Sequence, residues 1–370
     1  MTARFVTDIP TIVATGFFAL DVVVDCQQDI PAIAQAGGTC GNVLAIMAHL
    51  GWRASAVSRM SADRLSDCAL GDLRRAGVNV DLASVLPSAP LTLIQQRNWT
   101  TAKGKASHRF FWSCPHCGKH SEPFRPLTLA GATSILDKLG TPDVFFLDRV
   151  SPASAFLAAE FSKRGTLVVF EPSGRLDARL LQQVLQCAAI VKYPPLYEKQ
   201  MQLLMTNRRK SKCLEIRTQS EDGLYFRLMQ GDFISDWRHI QAQTVDAFVD
   251  SSGAGDWCTA GIVAEVGRKG ATGFDGMTDE SIEAGIRAGS RLAAINCRYL
   301  GARGAMRREI STSILRDSNG GPAIETDLHA ATAFLGCSQG CSPAVEKALP
   351  KIRHRGRSHI PELHRNIGSE

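Results

Sequence analysis

The stretch DSSGAGD at residues 250–256 leads into an apolar run at residues 257–266, and together they predict a glycine-rich turn followed by a buried helix. Small residues in the turn let backbone N–H groups approach an anion, and the helix macrodipole favours negative charge at this end. Phosphate is the anion that such a turn typically binds. Asp256 would stand where a carboxylate can accept a proton from an attacking hydroxyl. The alternative is a tight turn whose aspartate only caps the helix, and an isolated Gly-x-Gly-Asp leaves both interpretations open.

A second glycine-rich stretch, GGTCGNVLA at residues 37–45, lies more than 200 residues upstream. The two stretches resemble the two signatures of the PfkB (ribokinase-like) carbohydrate and nucleoside kinase family. These are usually Gly-Gly-x-x-x-Asn-x-x-Ala near the N-terminus and Asp-Thr-x-Gly-Ala-Gly-Asp near the C-terminus. Ser251 replaces the usual threonine, and the resemblance covers about residues 10–310.

This resemblance implies an α/β fold, a ribokinase-like three-layer α/β/α sandwich with a small β lid. It also implies an ATP-dependent kinase that uses Mg2+ and moves a phosphoryl group to a hydroxyl of a sugar, nucleoside or related small molecule. Asp256 takes the role of general base in such an enzyme, and the amides of Gly253, Ala254 and Gly255 form the anion hole.

Further site residues follow from the same resemblance. Asp21 comes five residues after Gly16, where the family places an acid that binds substrate hydroxyls. Gly38 and Asn42 belong to the N-terminal signature and would also contact the substrate. Asn42 has an alternative role as a local cap of its own helix.

The nucleotide side of the resemblance is less regular. TQSEDG at residues 218–223 is similar to the family's Thr-x-Gly-x-x-Gly, so Thr218 and Gly223 are predicted to bind the nucleotide, although Ser220 occupies the place of a glycine. Gly301, with the alanine after it, resembles the small residues near the purine.

Two departures from the family concern metal and phosphate. VKYPPLYE at residues 191–198 stands where Asn-x-x-Glu is common, so only Glu198 remains as a predicted Mg2+ ligand. EPSGR at residues 171–175 replaces a frequent Asp-x-Asn-x-Arg. These changes keep a second interpretation open, in which the same fold is a catalytically weak sugar- or nucleoside-binding sensor or an assembly subunit.

The periodicity of the chain gives a coarse fold independently of the signatures. Short β-rich runs alternate with helical runs, which is typical of parallel strands joined by crossover helices. Two β-like runs around a polar turn, at about residues 91–112, predict a lid hairpin outside the main sheet. The predicted strands are 11–15, 54–58, 144–147, 167–170 and 188–191, and the predicted helices are 43–50, 68–75, 153–161, 180–187 and 281–299.

Length and composition are those of a packed enzyme: 370 residues, 44% hydrophobic and 21% charged, with a net charge of +6. We predict one kinase domain at 1–310 and a basic, cysteine-containing extension at 311–370.

The chain lacks a run of about 18 apolar residues, which predicts a cytoplasmic protein without a membrane partner. A short basic tail is usually solvated, so nucleic acid is not a predicted partner. The family suggests a homodimer through the lid.

The eleven cysteines are scattered and predict mostly reduced thiols. Cys114 and Cys117, in a cysteine-containing insertion at about residues 113–126, have the spacing of a zinc knuckle. The tail pair Cys337 and Cys341 could complete a structural Zn2+ site. Unligated thiols in exposed loops are the alternative.

Overall fold

The computed structural model describes residues 9–28, 30, 32–85, 89–113, 120–205 and 212–307. These residues form a mixed α/β fold with one large and one small sheet. The strands are β1 Thr11–Thr15, β2 Ala19–Asp25, β3 Ile33–Gly37, β4 Arg53–Met60, β5 Ala83–Val85, β6 Thr92–Thr100, β7 Ala106–Phe111, β8 Val144–Leu147, β9 Leu167–Phe170, β10 Ile190–Tyr193, β11 Cys213–Thr218, β12 Leu224–Gln230, β13 Phe233–Ile234 and β14 Arg238–Ile240. The helices are α1 Gly38–His49, α2 Arg64–Arg75, α3 Leu129–Ile135, α4 Pro152–Lys163, α5 Ala178–Cys187, α6 Glu198–Met205, α7 Ala254–Val266, α8 Gly270–Asp275 and α9 Asp279–Asn296.

The main sheet has the strand order β13-β12-β11-β10-β9-β8-β1-β4-β5, with β14 beside β12. Pairing is parallel from β5 through β11 and antiparallel from β11 to the β12 to β14 edge. Parallel strands require crossover connections, and the helices between the strands provide them.

Helices cover both faces of this sheet. Successive residues of β8 show this, because Val144 and Phe146 join an apolar cluster with α1, α7 and α9, while Phe145 and Leu147 join a second cluster with α3, α4 and α5. A strand buried on both faces reads as a continuous apolar run, as these four residues do. The result is a three-layer α/β/α arrangement.

The small sheet, called the lid sheet below, has the order β3-β2-β6-β7. Strands β2 and β6 are parallel, while β3 and β7 pair antiparallel at the two edges. The predicted hairpin at residues 91–112 is therefore present as β6 and β7, outside the main sheet. Across the ranges given above, no helix is long and apolar enough to span a membrane.

Candidate active site

The glycine-rich turn has the backbone that its sequence requires. Gly253 is the N-cap of α7 and has φ of +71°, in the left-handed region that favours glycine. A Cβ atom on Gly253 would lie 2.4 Å from the carbonyl oxygen of Ala302. The amide of Ala254 donates to Ser251 at 3.2 Å, whereas the next amide, of Gly255, lies in the first helical turn, where a helix offers no backbone acceptor.

Asp256 lies in the first turn of α7 and is 9% exposed. Asn42 Nδ2 donates to Asp256 Oδ2 at 2.8 Å, while Asn42 Oδ1 is buried without a hydrogen-bond partner among the described residues. Burial, reinforced by the carboxylate of Glu171, raises the pKa of Asp256 well above its ordinary value, although Asn42 and Lys192 oppose the shift. A carboxylate with a raised pKa is the stronger general base once it is deprotonated.

A buried ion pair lies against the same turn. Lys192 Nζ is 2.5 Å from Glu171 Oε1, and Thr259 Oγ1 donates to Glu171 Oε2 at 2.6 Å. A Cβ atom on Gly255 would lie 3.7 Å from Glu171 Oε1 and 3.8 Å from Lys192 Nζ. Burial by itself lowers the pKa of Lys192, but Glu171, Cys258 and Asp256 together outweigh burial and the pKa is raised, so a charged ammonium group lies beside the turn.

Asp250, the first residue of the turn, connects it to the lid sheet. Its Oδ1 accepts from the N–H and the hydroxyl of Ser252 at 3.0 and 2.9 Å, and its Oδ2 accepts from the Gly301 N–H at 2.8 Å. Two lid side chains reach the same carboxylate: Gln96 Nε2 at 2.6 Å and His108 Nδ1 at 3.0 Å. Burial raises the pKa of Asp250, but the hydrogen bonds, led by that from His108, lower it to about 2.

Asp21 projects from β2 and is 7% exposed. Its carboxylate lies on the backbone of Gly37, where a Cβ atom would be 1.9 Å from Asp21 Oδ2, while its Oδ1 has no hydrogen-bond partner in the described parts of the chain. Burial raises the pKa of Asp21 to about 7, against the charge of Arg303 and the N–H of Gly38, which lower it. Gly38 has φ of +74°, so a glycine is favoured there.

The predicted nucleotide loop follows β11. Thr218 Oγ1 donates to the carbonyl of Tyr193 at 3.5 Å. Gly223 has φ of +95°, and a Cβ atom there would lie 2.1 Å from the carbonyl oxygen of Ile240. Ser220 has φ of +51°, a conformation that explains why glycine suits this position. Gly301 donates its N–H to Asp250 Oδ2, and its predicted place near the purine stays a prediction.

The structure brings some predicted residues together and leaves others untested. Asp256 and Asn42 are in contact. Glu198 Oε1 is bonded to Arg217 and Gln202, so its role as a Mg2+ ligand stays a prediction. The predicted Zn2+ ligands lie outside the described residues: Cys114, Cys117, Cys337 and Cys341. The predicted C-terminal extension at 311–370 also lies outside them.

Four further polar side chains border the turn without having been predicted as site residues. Glu171 and Lys192 stood out in the sequence only as departures from the family pattern, although a lysine inside an apolar strand is itself a signal of a buried partner. Gln96 and His108 carry no signal beyond their place in the predicted hairpin.

Neither the family models nor the curated protein sequences match this chain. Solved structures do. The chain is similar to a fructokinase from Xylella fastidiosa with bound ATP, at 20% identity and a TM-score of 0.58, covering 80% of this chain and 94% of that one. It is similar to Arabidopsis thaliana ribokinase complexed with ribose and ATP, at 15% identity and a TM-score of 0.57, covering 84% and 100%. The third is aminoimidazole riboside kinase from Salmonella enterica, complexed with its riboside and an ATP analog, at 15% identity and a TM-score of 0.57, covering 80% and 96%.

The fold is therefore ribokinase-like, as predicted, and its neighbours among solved structures are sugar and nucleoside kinases. At these identities the likeness establishes the fold, and the activity has to be argued from the site.

Proposed function

We propose that this protein is an ATP-dependent phosphotransferase that moves a phosphoryl group to a hydroxyl of a sugar, nucleoside or related small molecule. The observation that carries the proposal is the hydrogen bond between Asn42 and Asp256, which holds a buried carboxylate at the start of α7. That carboxylate stands beside a glycine-rich turn in a fold whose solved neighbours are kinases.

The acceptor hydroxyl is proposed to lie against Asp256, with other hydroxyls bound by Asp21 and by Asn42 Oδ1. Asp256 accepts the hydroxyl proton as the new O–P bond forms and the bond to the leaving nucleotide breaks. The amide of Gly255 and the N-terminal end of α7 stabilise the negative charge on the transferring phosphoryl group. Positioning and charge stabilisation are the main contributions that phosphoryl transfer requires of a protein.

Lys192 is proposed to add a fixed positive charge to this anion hole. A Cβ atom placed on Gly255 would lie 3.8 Å from Lys192 Nζ, so the ammonium group is close to the backbone of the turn. A lysine can contact phosphate as a point charge. Glu171 keeps that group charged and in place through the 2.5 Å ion pair.

Mg2+ belongs to the proposal as part of the donor, where it would neutralise charge on the ATP phosphates. Proteins often hold this ion through only one or two carboxylates and leave the rest of its shell to phosphate and water. The described stretches contain no group of three or more His, Cys, Asp or Glu side chains placed to hold a metal. Both oxygens of Glu171 are already bonded, by Lys192 and Thr259. We therefore propose that Mg2+ enters with the nucleotide, with Glu198 as its predicted protein ligand and with Thr218 and Gly223 in the proposed nucleotide loop.

The test is ATP consumption by the purified full chain with a panel of sugars, sugar phosphates, sugar acids and nucleosides, comparing wild type with Asp256→Asn. We expect turnover with at least one acceptor, reduced by about 100-fold or more in the variant, since a positioned base contributes about that much. Asp137→Asn is the matched control, because its side chain is fully exposed. Near-normal turnover by Asp256→Asn overturns the proposal, and tight ligand binding without turnover supports the sensor instead.

A further inference from the structure

Two arginines lie four residues apart near the end of the described chain. Arg303 is 5% exposed and Arg307 is half-buried. Arg303 Nη2 is bonded to Asp72, while its Nε has no hydrogen-bond partner among residues the structure describes. Arg307 donates to two neutral acceptors, Gln35 Oε1 at 2.7 Å and the carbonyl of Leu300 at 3.5 Å. Buried guanidinium groups usually have carboxylate partners, so the second arginine is unusual.

Both arginines border the proposed acceptor site. Gln35 is directly opposite Asp21 in the pairing of β2 with β3, so the two side chains share one face of the lid sheet. The charge of Arg303 acts on Asp21. Arg307 Nη2 would be 3.7 Å from a Cβ on Gly301, whose N–H is bonded to the glycine-rich turn. The pair therefore lies between the carboxylate on the lid sheet and the turn.

Positive charge exceeds negative charge in this cluster. Asp72 is shared, since its Oδ2 accepts from Arg303 and from the N–H of Ala36 at 2.9 Å. Asp21 has its pKa raised by burial to about 7, so it is only partly charged at neutral pH. Burial and repulsion from Arg303 lower the pKa of Arg307 to about 10, which still leaves it charged. Gln35 Nε2 and Asp21 Oδ1 also lack hydrogen-bond partners within the described ranges.

We propose that Arg303 and Arg307 bind an anionic group on the acceptor, a phosphate or a carboxylate, and that the acceptor is therefore a sugar phosphate or a sugar acid rather than a neutral sugar. A guanidinium group matches the oxygens of either anion with paired N–H donors. The free atoms of Asp21 and Gln35 would bind hydroxyls beside the anion. The inference rests on the proposed function for its acceptor, but its binding step is independent of turnover.

The first experiment measures binding of matched compounds to the full chain by calorimetry, without nucleotide: fructose, fructose 1-phosphate, fructose 6-phosphate, glucose and gluconate. We expect an anionic compound to bind at least about tenfold more tightly than its neutral counterpart. Arg307→Gln should bring that ratio close to one. Arg287→Gln is the control, since Arg287 is an exposed arginine paired with Glu283 on α9. Preference for a sugar phosphate identifies a phosphate site, and preference for gluconate identifies a carboxylate site.

The second experiment uses inorganic phosphate alone as the probe, by thermal shift at constant ionic strength. Arg307→Gln should remove the phosphate-specific part of the stabilisation, whereas Arg287→Gln should retain it. If the phosphate-specific stabilisation persists in full in Arg307→Gln, it belongs to the turn at α7 and the inference is overturned. The inference is also overturned if phosphate gives no specific stabilisation and the first experiment shows no anion preference. Arg307→Lys keeps the charge and should retain part of the effect.

The two proposals fail separately. Asp256→Asn should keep the anion preference while losing turnover. Turnover of a neutral sugar with no anion preference overturns the arginine site alone, and anion preference with turnover unchanged by Asp256→Asn overturns the proposed base alone.

Discussion

Asn42 and Asp256, which are 214 residues apart in the sequence, are joined by a hydrogen bond of 2.8 Å. The bond connects the two glycine-rich stretches, and the places of both residues within their helices exclude the capping roles that the sequence left open, while their roles toward a substrate stay predictions. Asn42 is inside α1, whose N-cap is Gly37 without a side-chain cap, so Asn42 is not a helix cap. Asp256 likewise does not cap α7, because Gly253 holds that position.

The first prediction concerns Asn42→Ala. The hydrogen bond from Asn42 lowers the pKa of Asp256, so its loss should raise that pKa further. The acid limb of the pH profile of kcat should therefore move to higher pH, and kcat at neutral pH should fall about tenfold because the base is less well oriented. Steady-state rates across the pH range check this. An unchanged acid limb would contradict the role of Asn42 as the residue that positions Asp256.

A second prediction uses the stability cost of a buried carboxylate. The pKa of Asp256 is raised in the folded protein, so the native state keeps a proton that the unfolded chain releases, and stability falls as pH rises through that interval. Asp256→Asn removes the cost and keeps an oxygen for Asn42 Nδ2. We expect its melting temperature to exceed that of wild type at pH 8, by about 1–2 °C for each kcal/mol gained, because the unfolding entropy of about 2.1 cal/mol/K per residue is summed over a chain of 370 residues.

The same comparison at pH 5 is the control. The gain should be smaller there, since the raised pKa lets a larger fraction of folded wild-type Asp256 keep its proton at the lower pH. A gain that is equal at both pH values, or a loss at pH 8, would contradict the raised pKa.

The main-sheet strands were predictable where burial is purely apolar. Val144–Leu147 and Leu167–Phe170 have the same bounds in the prediction and in the structure, because strands covered on both faces are continuous apolar runs. The next strand of the main sheet, β10, was predicted at 188–191 and lies at Ile190–Tyr193. Lys192 interrupts the apolar pattern, and only its ion pair with Glu171 explains its burial.

The strands of the lid sheet were harder to predict, because buried polar side chains interrupt the alternation of apolar and polar residues that is typical of a strand. Strands β2 and β3 carry Asp21 and Gln35 on one buried face, and neither strand was predicted with its bounds. The contacts of Gln96 and His108 with Asp250 depend on how the lid sheet docks on the main sheet, which local sequence does not encode. The sequence indicates that Asn42 and Asp256 belong to one site only through the resemblance of the two glycine-rich stretches to family signatures.

The third prediction concerns Lys192→Met. Loss of the ammonium group should reduce kcat by about 100-fold with little change in acceptor affinity, as for other groups that stabilise charge in the transition state. Glu171 would be left without its partner, so the variant should also lose stability. Steady-state kinetics with varied acceptor separates kcat from KM.

The double variant Glu171→Gln, Lys192→Met separates the two effects. Because it leaves no unpaired charge, it should recover stability in a thermal melt and still lack the activity. Recovery of activity along with stability would show that Lys192 has only a structural role.

The last prediction compares two glycines with similar backbone conformations. Gly253 and Gly231 have φ of +71° and +63°, so alanine is strained at both, by about 1 kcal/mol. At Gly231 an added Cβ meets nothing within 4 Å, whereas at Gly253 it would lie 2.4 Å from the carbonyl oxygen of Ala302. Gly253→Ala should therefore lose about 1–3 kcal/mol more in a denaturant melt than Gly231→Ala, and only Gly253→Ala should lose turnover. Equal losses of stability in the two variants would mean that the turn at α7 can shift away from Ala302, and the close packing that fixes the anion hole would then be wrong.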